Sequence, residues 1–273
     1  MHAGRHLRDG RHLMDWLLPQ ATLGPGSWAA LAAVGFVAGV INALAGGGSV
    51  ITLPTLIFFG LPAGVANGTN RVAILIQNVG AVRSFNRHGR LDWDWLKLAA
   101  PSAIIGAVLG MWIAVNTGDA DLQRVLAIMM LFIAGWMVWS PVSPPLDGTA
   151  PVPTRPWRRW LFILGFFGAG LYGGFIQAGS GFILLALATT AGLDYIRSNA
   201  LKLALILCFT PLALIGFASQ GLVDWASGLA LAAGNLTGAL IGVKIAVRKG
   251  SAWVRRFVVV LVVVFAVVLW FRA

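Results

Sequence analysis

Several apolar runs in this chain reach the 18 or more residues needed to cross roughly 30 Å of hydrocarbon, which makes it an all-α polytopic membrane protein. Composition agrees, with 58% apolar and only 11% charged residues. The formal charge of +11 would point to nucleic acid in a soluble protein. Here the loop lysines and arginines report instead which loops face the cytoplasm, and no nucleic-acid partner is expected. Twelve Trp are present, and Trp28, Trp93, Trp95, Trp139, Trp157, Trp160, Trp225, Trp253 and Trp270 lie where spans end. Such rings anchor at headgroup depth, with a share of them serving as core filler. A lone Cys208 excludes an intrachain disulfide and a thiolate metal site, so no metal is expected. The Arg- and His-containing N-terminus has no adjacent apolar stretch with a small-residue cleavage site, and no cleaved signal peptide is expected.

Spans are expected at about 27 to 45, 49 to 61, 66 to 87, 95 to 116 and 122 to 140, then at 159 to 177, 181 to 193, 199 to 219, 226 to 247 and 252 to 271. That divides the chain into a polar segment 1–26, a first repeat 27–140, a Pro-rich linker 141–158 and a second repeat 159–273. Adding 132 to each position from 47 to 138 lands on 179 to 270 without a gap, and about a quarter of the pairs are identical against roughly 8% by chance. The clearest matches are Gly89, Asp92 and Trp93 with Gly221, Asp224 and Trp225, then Gly106 and Gly110 with Gly238 and Gly242. The four glycines at four-residue spacing are read as close helix packing. Asp92 and Asp224 precede helix starts and are read as caps.

Equivalent loops carry opposite charge: Arg83, Arg87, Arg90 and Lys97 against Ser219, Gln220 and Asp224, and Asp119 and Asp121 against Arg248, Lys249, Arg255 and Arg256. Exchanged loop charge implies two five-segment repeats of inverted topology, about ten transmembrane segments in all. It puts loops 87 to 97, 141 to 158, 194 to 198 and 248 to 256 in the cytoplasm.

The candidate site lies where each repeat is interrupted. In the first, Ala45, Gly46, Gly47, Gly48 and Ser49 separate a full-length apolar run from a short one. A polar cluster, Asn67, Gly68, Thr69, Asn70 and Arg71, then opens the next helix. The second repeat has Gln177, Ala178, Gly179, Ser180 and Gly181, followed by Ser198, Asn199 and Lys202. Interrupted helices near a bilayer midplane point positive dipole ends and free N–H groups at anions. The short segments after the breaks cover about 18 Å at 1.5 Å per residue and are too short to cross alone. Arg71 and Lys202 are cations in apolar surroundings with no acidic neighbour in sequence, so an anionic substrate could supply the counter-charge; snorkelling to an interface is the competing reading. Asn42, Gln77, Asn78, Gln177 and Thr210 add hydrogen-bonding groups within apolar runs, either as ligands or as helix-to-helix glue. The expected binding set is Asn42, Gly47, Gly48, Ser49, Asn67, Thr69, Asn70, Arg71, Asn78, Gln177, Gly179, Ser180, Asn199, Lys202 and Thr210.

These residues resemble the sulfite exporter TauE/SafE (TSUP) family of permeases. The resemblance rests on Gly39 to Pro54 with its glycine run, on Ala66 to Asn70, and on a weaker second copy at Gly174 to Ile183. The second copy departs at Ser180 and at Ala186, which stands opposite Pro54. The resemblance implies carriage of sulfur-containing anions such as sulfite or organosulfonates across a prokaryotic cytoplasmic membrane, by alternating access in which one five-helix repeat rocks against the other. A coupling proton or sodium ion is a possible partner, although no membrane-embedded carboxylate is evident. No Walker-type phosphate loop and no cofactor site is present in the sequence. Two other readings stay open: an anion channel of the same architecture, and, remotely, an intramembrane enzyme using Ser180, for which no nearby base is apparent.

Overall fold

The computed structural model describes residues 25–44, 46–139 and 151–272, with side chains described for 26–44, 46–129 and 151–248. The polar segment 1–24, Ala45, the linker residues 140–150 and the side chains of Trp139, Trp253, Trp270, Arg255 and Arg256 lie outside that description. The described residues form helices and no strand: α1 (Pro25–Leu44), α2 (Ser49–Phe58), α3 (Ala63–Arg87), α4 (Trp93–Val115), α5 (Asp119–Trp139), α6 (Pro156–Phe175), α7 (Ser180–Thr190), α8 (Tyr195–Ser219) and α9 (Trp225–Arg272). Gly26–Leu44 within α1, α4, α8 and the Trp225–Arg248 part of α9 are each long and apolar enough to cross a membrane. Helices α2 and α7 are short and apolar.

The starts of α3 and α8 lie three and four residues before the expected 66 and 199, and one expected loop is absent. The expected spans 226–247 and 252–271 belong to one continuous helix of 48 residues, α9. The stretch between them contains no proline and one glycine, Gly250, and a single glycine costs a helix only about 1 kcal/mol. At the equivalent place in the first half, Asn116, Thr117 and Gly118 end α4, and the carbonyl of Gly118 accepts from Asp121 and Leu122 as α5 begins.

Side chains at the helix starts behave as caps. Asp92 accepts from Trp95 N at 3.1 Å, and Asp224 accepts from Ala226 N at 3.1 Å and from the Ser227 hydroxyl at 2.9 Å. Trp28, Trp93, Trp157 and Trp160 are exposed near helix ends, as interface anchors should be. Trp95 is not an anchor: it is 1% exposed and packs edge-on against Phe162, with ring centres 5.3 Å apart.

The two halves are interleaved. Helix α1 lies along α9, and α4 along α6, each pair in parallel. Both seams are glycine-lined. A Cβ on Gly106 or Gly110 would collide with the carbonyls of Phe167 or Leu171, and one on Gly234 or Gly238 with those of Ala32 or Phe36. Because lipid gives apolar helices no reason to associate, such backbone-to-backbone approach supplies the attraction through dispersion. A Cβ on Gly242 would lie 2.8 Å from the Ala43 Cβ and 3.0 Å from the Val40 carbonyl oxygen, so the expected packing role of the four-spaced glycines holds.

Helices α3 and α8 fill the centre between these pairs. α3 is too polar to count among the apolar spans, yet Asn67, Thr69, Asn70, Arg71, Gln77 and Asn78 are all buried within the protein. Spacings of three and four residues place Asn67, Asn70 and Arg71, then Gln77 and Asn78, along one stripe of the helix.

Loops gather on two faces. Leu91, Trp95, Val152, Phe162 and Leu193 pack together on one, which carries Arg87, Arg90, Lys97, Arg155, Arg158, Arg159 and Arg197. On the other, Gly64 N donates to Asp119 at 2.8 Å, and Asp224 N donates to Thr69 Oγ1 at 2.8 Å. The basic face should therefore be cytoplasmic. In a Cys208→Ser background, cysteines placed at Asn116 and Gln220 should react with an impermeant maleimide in intact cells, whereas those at His88 and Thr190 should react only after permeabilisation. Reaction of His88→Cys and Gln220→Cys from the same side would contradict this arrangement.

Candidate functional site

Each break is set by one glycine with a left-handed backbone, Gly46 (φ 97°) and Gly179 (φ 73°), a conformation that side-chain-bearing residues rarely adopt. The breaks meet. A Cβ on Gly46 would lie 3.0 Å from the carbonyl carbon of Gly181, and a Cβ on Gly181 would collide with the Gly46 carbonyl. Gly47 is filled over by the Phe182 ring, and Gly48 rests on the Ala38 carbonyl. The ends of α1 and α6 and the starts of α2 and α7 therefore share the centre of the molecule.

Side chains from α3 and α8 cap the two helix ends, each reaching into the opposite half. From α8, Lys202 Nζ donates to the carbonyl of Asn42 at 2.8 Å and to Asn199 Oδ1 at 2.7 Å, while Asn199 Nδ2 donates to the carbonyl of Leu44 at 2.9 Å. From α3, Arg71 donates to the carbonyls of Gly173 at 3.2 Å and Gly174 at 2.6 Å, while Asn67 Nδ2 donates to the carbonyl of Phe175 at 2.8 Å. The last carbonyls of a helix lack intrahelical partners and carry the negative end of its dipole, so a cation and an amide there satisfy both.

Arg71 and Lys202 are both 0% exposed. Snorkelling is thus ruled out by position: α3 begins at Ala63 and α8 at Tyr195, which puts the cations about two turns inside their helices and not in the first turn. Neither forms an ion pair with a described residue. The Arg71 guanidinium also sits 4.6 Å from the centre of the Phe217 ring, close enough for a cation–π contact.

Other members of the expected set have local roles. Thr69 Oγ1 anchors the turn before α9. Asn70 Oδ1 accepts from Thr52 Oγ1 at 2.7 Å, tying α3 to α2. Gln177 Nε2 donates to Thr210 Oγ1 at 3.3 Å, and the Thr210 hydroxyl donates to Ile206 O at 2.6 Å. Asn78 accepts from its neighbour Gln77 at 3.1 Å. Ser180 Oγ donates to Gln177 O at 3.0 Å, and the described histidine, His88, is exposed and bound to Ser84 O, away from that serine. Ser49 is buried at the start of α2.

Several buried atoms in this region have no partner: Asn70 Nδ2, Arg71 Nε and Asn78 Nδ2 among donors, and Asn67 Oδ1, Gln77 Oε1 and Gln177 Oε1 among acceptors. Native proteins satisfy most such atoms, and clusters that remain open are places where water or a ligand fits. Thr52, Phe217 and Asn235 were not among the expected residues. Asn235 is fully buried in α9 against the Gly39 region of α1, with both amide atoms unpartnered. A polar residue inside an apolar run was its legible signal; Phe217 offered none.

Apolar helices long enough to span a bilayer, gathered around a buried polar centre with interrupted helices, define an integral membrane protein, and the chain's relatives place it among membrane transporters. The chain belongs to the sulfite exporter TauE/SafE family, whose family model matches residues 31–269. It is 29% identical over 85% of its length to the "probable membrane transporter protein ORF9" of a Sinorhizobium species, covering 88% of that protein. It is 27% identical to a Haemophilus influenzae "probable membrane transporter protein" (85% of this chain, 90% of the relative) and 25% identical to Escherichia coli K12 "probable membrane transporter protein YfcA" (83% of each). These names describe transporters and not enzymes. No solved structure matches the chain.

The shared capping has a measurable consequence. Lys202→Met and Asn199→Ala each strip a partner from the end of α1 and should each lower stability by roughly 1–3 kcal/mol. Because both act on one helix end, the double variant should lose less than the sum, read as thermal unfolding of purified protein in detergent. Strictly additive losses would contradict a common cap.

Proposed function

We propose that the protein is a secondary transporter for a small anion, a sulfur-containing oxyanion such as sulfite or an organosulfonate, held where the two breaks meet. The observation that carries this is Lys202: a Cβ on Gly46 would lie 3.1 Å from its Nζ, so the ammonium sits against the junction of the two breaks. Two of its three N–H donors are used by Asn42 O and Asn199, leaving one for a ligand. Arg71 Nε and Asn70 Nδ2 are further donors without partners. A tetrahedral or pyramidal oxyanion presents several acceptors around one centre and matches such a set. The family to which the chain belongs is named for sulfite export, which supports the sulfur oxyanion over a carboxylate.

Alternating access follows from an inverted pair of repeats, with the moving bodies differing from intact five-segment halves. Glycine seams fasten α1 to α9 and α4 to α6, so each body combines helices from both halves. The cations bridge these bodies through helix-end carbonyls. An anion arriving at Lys202 or Arg71 competes with those carbonyls, and binding thereby loosens the contacts that hold one state closed.

Reconstituted protein should take up or release sulfite in preference to small carboxylates. Arg71→Ala and Lys202→Ala each remove a charge-assisted hydrogen bond of about 1.5–3 kcal/mol, or roughly 10- to 150-fold in apparent affinity. Arg71→Lys retains charge without the planar fork and should fall between. Unchanged apparent affinity in both alanine variants, with matched protein amounts, would refute the site.

A further inference from the structure

A groove of about 810 Å³ lies between residues 151–154, the start of α6 and the end of α7. Its floor is apolar, formed by Val152, Leu161, Leu164 and Leu187, and its lining includes Arg155 and Arg158. Neither arginine pairs with a described acidic residue, and the Arg158 guanidinium lies 5.5 Å from the centre of the Trp157 ring. The flank of α6 beside it is turned outward: Trp157, Trp160, Leu161 and Leu164 are among the most exposed large apolar residues described. In a bilayer that flank meets lipid. The groove also belongs to the basic face; the adjoining groove, which shares Pro151 and Val152, is lined by Lys97 and Arg159 but also by Asp92 and Asp94, the latter paired with Lys97, so the unpaired positive charge at this groove is that of Arg155 and Arg158.

We propose that this groove is a binding site for an anionic glycerophospholipid, one acyl chain lying along Leu161, Leu164 and Leu187 and the phosphate held by Arg155 and Arg158. Charge complementarity selects the occupant. A zwitterionic lipid covers the apolar floor equally well but brings an ammonium towards two arginines, whereas free phosphate leaves the floor uncovered. The Trp157 ring, amphipathic and at the helix start, is placed to rest at headgroup depth. None of the residues proposed to bind the transported anion lines the groove, so this site stands independently of the substrate. Its wall is the end of the connector between the two halves, and a bound lipid holds that segment against α6 and α7.

The test is native mass spectrometry of the full-length protein in detergent, titrated with an equimolar mixture of phosphatidylglycerol and phosphatidylcholine. Each arginine near the surface favours an anionic lipid on the order of fivefold, so the preference for phosphatidylglycerol should be roughly 5- to 30-fold. Arg155→Gln combined with Arg158→Gln should bring the two lipids level, while Arg124→Gln on the opposite face should leave the preference intact. Thr190→Trp, which fills the groove, should lower the bound amount of both. Equal binding of the two lipids by the wild type, a preference that survives the double substitution, or displacement of phosphatidylglycerol by millimolar inorganic phosphate would each overturn the proposal.

Discussion

Buried cations capping the broken ends of helices are the constraint on which the rest of this structure depends. A helix that stops inside a membrane leaves carbonyls that neither water nor lipid can satisfy, and each orphan costs on the order of 1–3 kcal/mol or more. Lys202 with Asn199, and Arg71 with Asn67, answer that cost at the ends of α1 and α6. The charges are in turn stabilised without any carboxylate among the described residues, by carbonyl dipoles and, for Arg71, by the Phe217 ring. Cation and helix end therefore depend on one another, and since each pair spans the two halves, neither half can complete its own site.

The glycine seams follow from the same exchange. For α3 and α8 to reach helix ends in the opposite half, the outer helices must close around them, and α1 with α9 and α4 with α6 do so at backbone distance. Gly106 and Gly110 on α4 meet α6 at Phe167 and Leu171; Gly234 and Gly238 on α9 meet α1 at Ala32 and Phe36. Substituting any of these with a larger residue pushes apart a pair that frames the centre, so packing positions remote from the charges still control the site's geometry.

Much of this was legible in the sequence, because polar residues in apolar runs and glycine clusters at a fixed offset have few other uses. The breaks, the short helices, the capping aspartates and the packing glycines lie where periodicity and repeat placed them. What could not be read was long-range. That Asn67 would bond Phe175, and Asn199 would bond Leu44, depends on the interleaving of the halves, and no local pattern encodes it. The depth of Arg71 is hidden because the polar cluster resembles a helix start, whereas α3 starts at Ala63, behind Pro62. The continuity of α9 is hidden because a basic stretch with one glycine resembles a loop, although charge alone does not end a helix.

Counterflow distinguishes a carrier with one alternating site from an open pathway. Proteoliposomes loaded with millimolar unlabelled sulfite and diluted into trace radiolabelled sulfite should accumulate label transiently above its equilibrium level, with an initial rate that saturates with external sulfite. Label that enters only to equilibrium, at a rate linear in concentration and indifferent to internal sulfite, would contradict an alternating-access carrier built on this centre.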